Sequence, residues 1–361
     1  MKSLNLPYNP QIDQLRFFAA ILVFCFHFQL EVQSLGGIGL QGACWALITQ
    51  GHTGVGLFFT LSGFLFMQIA LTKDNIPFFP FIRNRFLRIF PLFFVIFLLA
   101  TSIGRDRFVP TDIFYIFASN LGLAPTSYTV ITGAAWCISL EFLFYALFPA
   151  LSRIAITQGP MYLIRMLALM IFFKVAAFTV NEKSDLMYFS TFVGRFDQFL
   201  IGMLAAFAQR HFADGLKERS QLCLIFAGAL VLFNSGLQAT VAPFNASAKT
   251  YFWIFWSFIE STGWAVFILA WTAKRDFLPN FIARLMEGGG QISFSFYLLH
   301  MAVIHIWARV LGLPAFTGFT GLDTGLMALL VFGFTCVVSY ISFISIEAPF
   351  LNMRRSYGAP R

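Results

Sequence analysis

Asp13-Gln14-Leu15-Arg16-Phe17-Phe18-Ala19-Ala20-Ile21-Leu22-Val23-Phe24-Cys25-Phe26-His27 decides the fold. Every residue from Phe17 to Phe26 is apolar, so the segment is compatible with lipid, while Asp13, Arg16 and His27 are costly there and mark a functional site. Arg16 and His27 are eleven residues apart, roughly three helical turns, so they share one face about 16 Å apart along the axis. One helix thus carries a cation near one membrane surface and an imidazole deep inside.

The remainder of the chain follows the same rule. Of 361 residues 58% are hydrophobic and 11% charged, with mean hydropathy +0.77, which places the chain outside the soluble globular range and among polytopic membrane proteins. The net charge of +8 could suggest nucleic acid, but the basic residues sit in short loops between apolar runs and read as topology signals, so no nucleic-acid partner is expected. Cys25, Cys44, Cys137, Cys223 and Cys336 form no C-x-x-C, and neither a disulfide framework nor a metal site is indicated. No cleavable signal peptide is apparent.

Apolar runs long enough for a hydrocarbon layer near 30 Å predict spans at 14–33, 53–72, 87–103, 136–155, 162–179, 193–210, 221–238, 251–272, 292–311 and 323–346. The fold class expected is an all-α, polytopic bundle of about ten transmembrane helices. Ile113 to Leu123 is short and reads as an interfacial or re-entrant piece. Arg105, Arg107, Lys183, Arg195 and Lys249 fall on one side, Lys174 and Arg309 within spans, and the other basic residues on the N-terminal side. That bias puts both termini in the cytoplasm. One transmembrane domain over 1–361, with no appended soluble module, is the expected organisation.

Several motifs carry chemistry or packing. His52 to Phe66 opens the second span, where Gly54, Gly56, Ser62 and Gly63 would let helices approach closely and His52 would stand at the outer mouth. Arg83, Arg85 and Arg88 form a basic cluster ahead of the third span. This is either a topology stop or a site for an anionic group, because guanidinium makes forked contacts with phosphate. Trp136 begins the fourth span, and Glu141 lies about one and a half turns further in, where a carboxylate needs a partner or a proton. His27 is expected at a similar depth, and an imidazole oriented by a carboxylate is a common general base. Arg195 and Asp197 read as an ion pair holding the end of the sixth span. Tyr297 and His300 share a face of the ninth span and would line the site. Glu347, before Pro349, reads as a structural partner for the cytoplasmic arginines.

Taken together, these landmarks resemble the integral-membrane acyltransferase family 3. The resemblance rests on Arg16 and His27, the Gly54-Val55 to Gly63-Phe64 run, Arg85 to Arg88-Ile89 with Pro91, and Trp136 to Glu141 with Tyr145. Ser293 to Tyr297-Leu298 with His300, and Glu347 with Pro349, complete the pattern. It implies about ten helices and transfer of an acyl group, often acetyl, to extracytoplasmic carbohydrates or secreted small molecules in the plasma (bacterial inner) membrane. The chain departs from the common form at Gly56, where many relatives carry an acidic residue, and at Cys137, where serine or threonine is frequent.

The residues and the resemblance meet in one expectation. A cytosolic acyl-CoA, acting as cosubstrate rather than bound cofactor, places its phosphates at Arg16, Arg83, Arg85 and Arg88, with Asp13 supporting Arg16. Its pantetheine arm spans the roughly 16 Å to His27. His27 is the general base, oriented by Glu141, and an acceptor hydroxyl enters past His52, Trp136, Tyr297 and His300. The other functional class is a transporter for a glycan, lipid or small molecule that uses the same groups as a translocation path. A non-catalytic scaffold for a surface-polymer complex fits poorly with costly buried ionisable groups.

Overall fold

A computed structural model describes residues 4–73, 76–103, 136–180, 185–242, 249–274, 277–313 and 317–357. The Ile113 to Leu123 segment lies outside the described residues. The elements are α1 (Pro10–Ser34), a 3-10 turn (Ala43–Trp45) leading into α2 (Ala46–Thr49), α3 (Thr53–Lys73), α4 (Phe78–Ile103) and α5 (Trp136–Gln158). They continue as α6 (Pro160–Val180), α7 (Asp185–Ser190), α8 (Phe192–Glu218), α9 (Ser220–Val241), α10 (Phe252–Ala273), α11 (Asn280–Leu311) and α12 (Thr320–Ser342). A π-helical turn (Phe343–Glu347) then joins α12 to α13 (Ala348–Leu351). No strand occurs among the described residues.

Local chemistry sets where the first helix begins. Asn9 Oδ1 accepts from the Gln11 amide at 3.1 Å and Pro10 occupies the first helical position, where its missing N–H costs nothing. Among the described residues, nine helical stretches are long and apolar enough to cross a membrane, the last running from Thr320 to Leu351. The sixth expected span, 193–210, is present as α8 but is less apolar than the other nine. Its Arg195, Asp197 and Gln198 are buried against protein instead of facing lipid. Arg195 and Asp197 do not pair with each other. Asp197 Oδ2 meets Lys174 Nζ at 2.5 Å, and Arg195 Nη1 meets Glu260 Oε2 at 3.3 Å, because α6 and α10 flank α8 and offer the opposite charges.

Packing is aromatic and close. Phe66, Phe81, Phe144, Phe148 and Phe199 meet in edge and offset geometries, with centroids 5.2–6.3 Å apart. Lipid tails are as apolar as these side chains, so helix association must come from fit. α3 and α8 supply it through reciprocal glycines: a Cβ at Gly63 would collide with the Phe199 carbonyl, and one at Gly202 with the Thr60 carbonyl. Gly202→Val should therefore destabilise the bundle by about 1–3 kcal/mol or more, since backbone cannot yield as a side chain can. Thermal unfolding in detergent measures this, and an unchanged midpoint would show that the two helices have room to separate.

The two described ends of the chain lie together. Asn5 Oδ1 accepts from the Tyr357 amide at 2.8 Å and from Ser356 Oγ at 3.2 Å. Asn84, near the start of α4, bonds both the amide of Arg355 (3.1 Å) and its carbonyl (2.6 Å). Residues 5, 84 and 355–357 thus occupy one end of the bundle.

Candidate active site

At that end two adjoining cavities run into the bundle. The outer one, with about 720 Å³ of empty space including its mouth, is lined by Tyr8, Asn9, Asp13 and Arg354 among others. The inner one, about 750 Å³ on the same measure, ends among Phe58, Phe59, Cys137 and Tyr297. Arg16, Arg85 and Arg88, with Leu65 and Phe66, belong to both. The neck between the cavities is therefore ringed by three guanidiniums.

Helix phase explains which arginines reach it. Arg85 and Arg88 are three residues apart and share a face of α4, whereas Arg83 lies about 200° round from Arg85. Arg83 accordingly stays exposed and donates to the Met353 carbonyl at 3.1 Å, which removes it from the expected phosphate cluster. Arg85 stacks over Phe66 (4.9 Å) and Phe81 (5.6 Å) and reaches the Tyr357 hydroxyl at 3.5 Å, while its buried Nε has no hydrogen-bond partner among the described residues. Arg16 donates to Asp13 Oδ1 at 3.0 Å. Arg88 makes no hydrogen bond or ion pair among the described residues, so the neck carries cationic donors that the protein leaves available.

Deeper in, Glu141 Oε2 accepts from the Tyr145 hydroxyl at 2.8 Å, one turn along the same helix, and both line the inner cavity. The structure does not bring Glu141 to His27. That is a correction to the expected pair: α5 turns Glu141 towards the arginine neck, and the partner of His27 comes from α11. His300 Nε2 lies 3.0 Å from His27 Nδ1. Tyr297 ties the cavity to this pair, since its ring forms part of the inner wall and its carbonyl faces His300 Nδ1 at 2.5 Å. Its hydroxyl lies 3.1 Å from Cys137 Sγ.

The hydrogen bonds assign the tautomers. His300 Nδ1 faces the Tyr297 carbonyl, and His27 Nδ1 faces the Val23 carbonyl at 3.0 Å. Carbonyls only accept, so both Nδ1 atoms carry the proton, and His300 Nε2 accepts from His27 Nδ1–H. His27 Nε2 is left with a lone pair on a partly exposed ring, the form a general base requires.

Neither His27 nor His300 lines either of these two cavities, and the other expected pocket residues fall elsewhere. His52 is buried outside both cavities, its Nε2 3.0 Å from Gln50 Oε1 and 3.1 Å from Gln238 Nε2, with the Phe26, Phe189 and Trp256 rings around it. Trp136 lines neither cavity. Its ring faces the Arg195 guanidinium at 5.6 Å, and Trp256 (4.3 Å) and Phe189 (4.8 Å) hold the same cation. At Gly56 a Cβ would collide with the Glu260 carboxylate, so α10 already fills that space with an acidic group. Glu347 does not pair with the arginines. The π-helical turn faces it inward to accept from the Ser295 hydroxyl, which satisfies a buried carboxylate without a cation.

Sequence reading missed three contributors. Lys174 is fully buried and bonds both Asp197 and the Ser257 hydroxyl. Glu260 is buried against Arg195 and Gln198, at 3.3 and 2.5 Å. Both were detectable as charges inside apolar runs. Arg354 looks like one more topology charge in the sequence, and nothing in its local pattern distinguishes it from Arg355.

Comparison with known proteins adds an independent line. A family model described as an acyltransferase domain matches residues 9–344. The chain is similar to the acyltransferase MdmB of Streptomyces mycarofaciens, with 33% identity over 155 residues covering 40% of this chain and 39% of that protein. It is also similar to ORF330 of Acidianus two-tailed virus, provisionally named an acetyltransferase, with 28% identity over 155 residues covering 41% of this chain and 42% of the viral protein. The matched stretch thus spans about two fifths of each relative. No solved structure matches the chain.

Proposed function

Because this chain belongs to the acyltransferase-domain family, we propose that it is a multi-pass membrane O-acyltransferase of the bacterial inner membrane. It carries an acyl group, acetyl in the simplest case, from a cytosolic acyl-CoA to a hydroxyl of an extracytoplasmic glycan or related acceptor. The observation that supports this most is the alignment of two features on one path. Arg16, Arg85 and Arg88 ring the neck of a passage, and its far wall, Tyr297, hydrogen-bonds the histidine that orients His27.

In this reading the donor's phosphates stop at the arginines and its thin pantetheine arm enters the inner cavity. The Glu141–Tyr145 pair offers that arm an acceptor for its amide N–H groups. The acceptor hydroxyl arrives from the opposite side. His27 Nε2 takes its proton as the oxygen attacks the thioester carbonyl. The tetrahedral intermediate then collapses with cleavage of the C–S bond, and the departing thiolate receives the proton from His27. His300 positions His27 and fixes its tautomer without touching substrate.

Acetyl-CoA labelled in the acetyl group, added to the cytoplasmic face of proteoliposomes with an acceptor glycan outside, tests the reading. Covalent label on the acceptor is expected. Movement of unmodified solute without transfer would replace the enzyme with a transporter. In the same assay Arg88→Gln should raise the donor KM roughly tenfold, the worth of one charge-assisted phosphate contact. An unchanged KM would remove Arg88 from the donor site.

A further inference from the structure

The last described segment, residues 352–357, follows α13 and crosses the start of α4. It is pinned at three points. Arg83 holds the Met353 carbonyl, Asn84 holds both backbone groups of Arg355, and Asn5 holds the Tyr357 amide. The Tyr357 ring anchors the far end, buried against Phe81 with centroids 5.7 Å apart. A segment fixed this way presents each side chain in a set direction: Met353, Arg355 and Ser356 face out, and half-buried Arg354 turns into the outer cavity.

Among the described residues, that cavity is rich in cations. Arg16, Arg85, Arg88 and Arg354 all line it, Arg354 with its Nε donating to the Leu351 carbonyl at 3.0 Å, and Asp13, which also lines it, is engaged by Arg16. Burial, then the nearby charges of Arg85 and Arg16, push the Arg354 guanidinium below its ordinary value against the pull of Tyr357. Like charges drawn together in a partly desolvated space call for an anion of more than one charge.

The donor class proposed above carries phosphate at two places: a diphosphate next to the pantetheine arm, and a monoester on the ribose at the nucleotide end. If the arm enters the inner cavity, the diphosphate meets the neck, where Arg16, Arg85 and Arg88 border both cavities. The ribose monoester then remains in the outer cavity, where Arg354 is the additional cation. We infer that the 352–357 strap delivers Arg354 as a further donor-binding residue, which grips the 3′-phosphate of the nucleotide and so selects coenzyme A over its dephosphorylated form. This rests on the acyl-CoA reading of the passage.

Binding of coenzyme A and of 3′-dephospho-coenzyme A to the purified full chain tests it, comparing wild type with Arg354→Gln and Arg354→Lys. Wild type should prefer coenzyme A by roughly tenfold or more. In Arg354→Gln the preference should collapse to about one, with affinity for the dephospho form unchanged, which also reports an intact site. Arg354→Lys should keep part of the preference, as a point charge without the guanidinium fork. Three results overturn the assignment to Arg354: equal wild-type affinity for both ligands, a preference that survives in Arg354→Gln, or equal loss of both ligands in that variant. Wild type that binds neither ligand would overturn the acyl-CoA reading itself, and this inference with it.

Discussion

His27→Ala is expected to lower acyl transfer by about 10²- to 10⁴-fold while the protein remains folded in the membrane, the usual worth of a positioned general base. The geometry makes the effect specific to one nitrogen. Nδ1 of His27 is committed to Val23 and His300, so only Nε2 can take a proton from an acceptor hydroxyl. Alanine also strands His300 Nε2 without its donor, a cost of about 1–3 kcal/mol that could confuse loss of chemistry with loss of fold. His27→Gln separates the two, because a side-chain amide can still donate to His300 but cannot shuttle a proton. His27→Gln should unfold near the wild-type temperature in detergent and His27→Ala below it, and both should bind donor normally, since Arg16 and the neck are untouched. Turnover at the wild-type rate in either purified, folded variant would end the case for His27 as base.

The second large effect is on stability. Lys174→Met should cost about 3–5 kcal/mol, because it leaves Asp197 charged and buried between α6, α8 and α10 with its cation gone. The Ser257 hydroxyl at 2.8 Å and the Gln198 amide at 3.0 Å still donate to Asp197, but neutral donors do not replace a charge. Asp197→Asn placed on top of Lys174→Met should recover most of the loss, since the pair is removed together. Thermal unfolding of the two single variants and the double variant forms a complete cycle. A double variant as unstable as Lys174→Met alone would show that the lysine stabilises by packing and not by pairing. Arg195 and Glu260 form their own contact nearby, so this second pair should remain formed.

Much of the architecture was legible because it depends on local properties. Apolar runs of membrane length located the helices, and all ten expected spans appear as helices with ends displaced by a few residues, up to about three turns at the start of α11. The largest differences are at the starts of α4 and α11, which extend as Phe78–Ile103 and Asn280–Leu311 beyond the apolar runs. Their opening segments carry Arg83, Asn84 and Arg85 in α4 and Arg284 and Glu287 in α11, so hydropathy alone stops short of them. Glycine spacing indicated close approach on α3, and the Gly63 and Gly202 contacts show which helix approaches.

The site was legible residue by residue, but its pairings were not. Position on a helix follows from 3.6 residues per turn, so Arg85 and Arg88 could be placed on one face and Tyr297 with His300 on another. A buried ionisable group must also find a partner, and the sequence announced that need for His27, Glu141, Arg195 and Asp197. It could not say which partner, because that depends on the rotation of each helix and on its neighbours, which close packing decides across hundreds of residues of separation. His300 rather than Glu141 meets His27, Lys174 rather than Arg195 meets Asp197, and a strap after the last helix turns Arg354 into the cavity while Arg83 stays outside. The sequence by itself determined the membrane helices and the cost of each charge within them. Only the tertiary structure decided which charges meet, because lipid offers buried polar groups no alternative partner and packing selects among those the helices bring within reach.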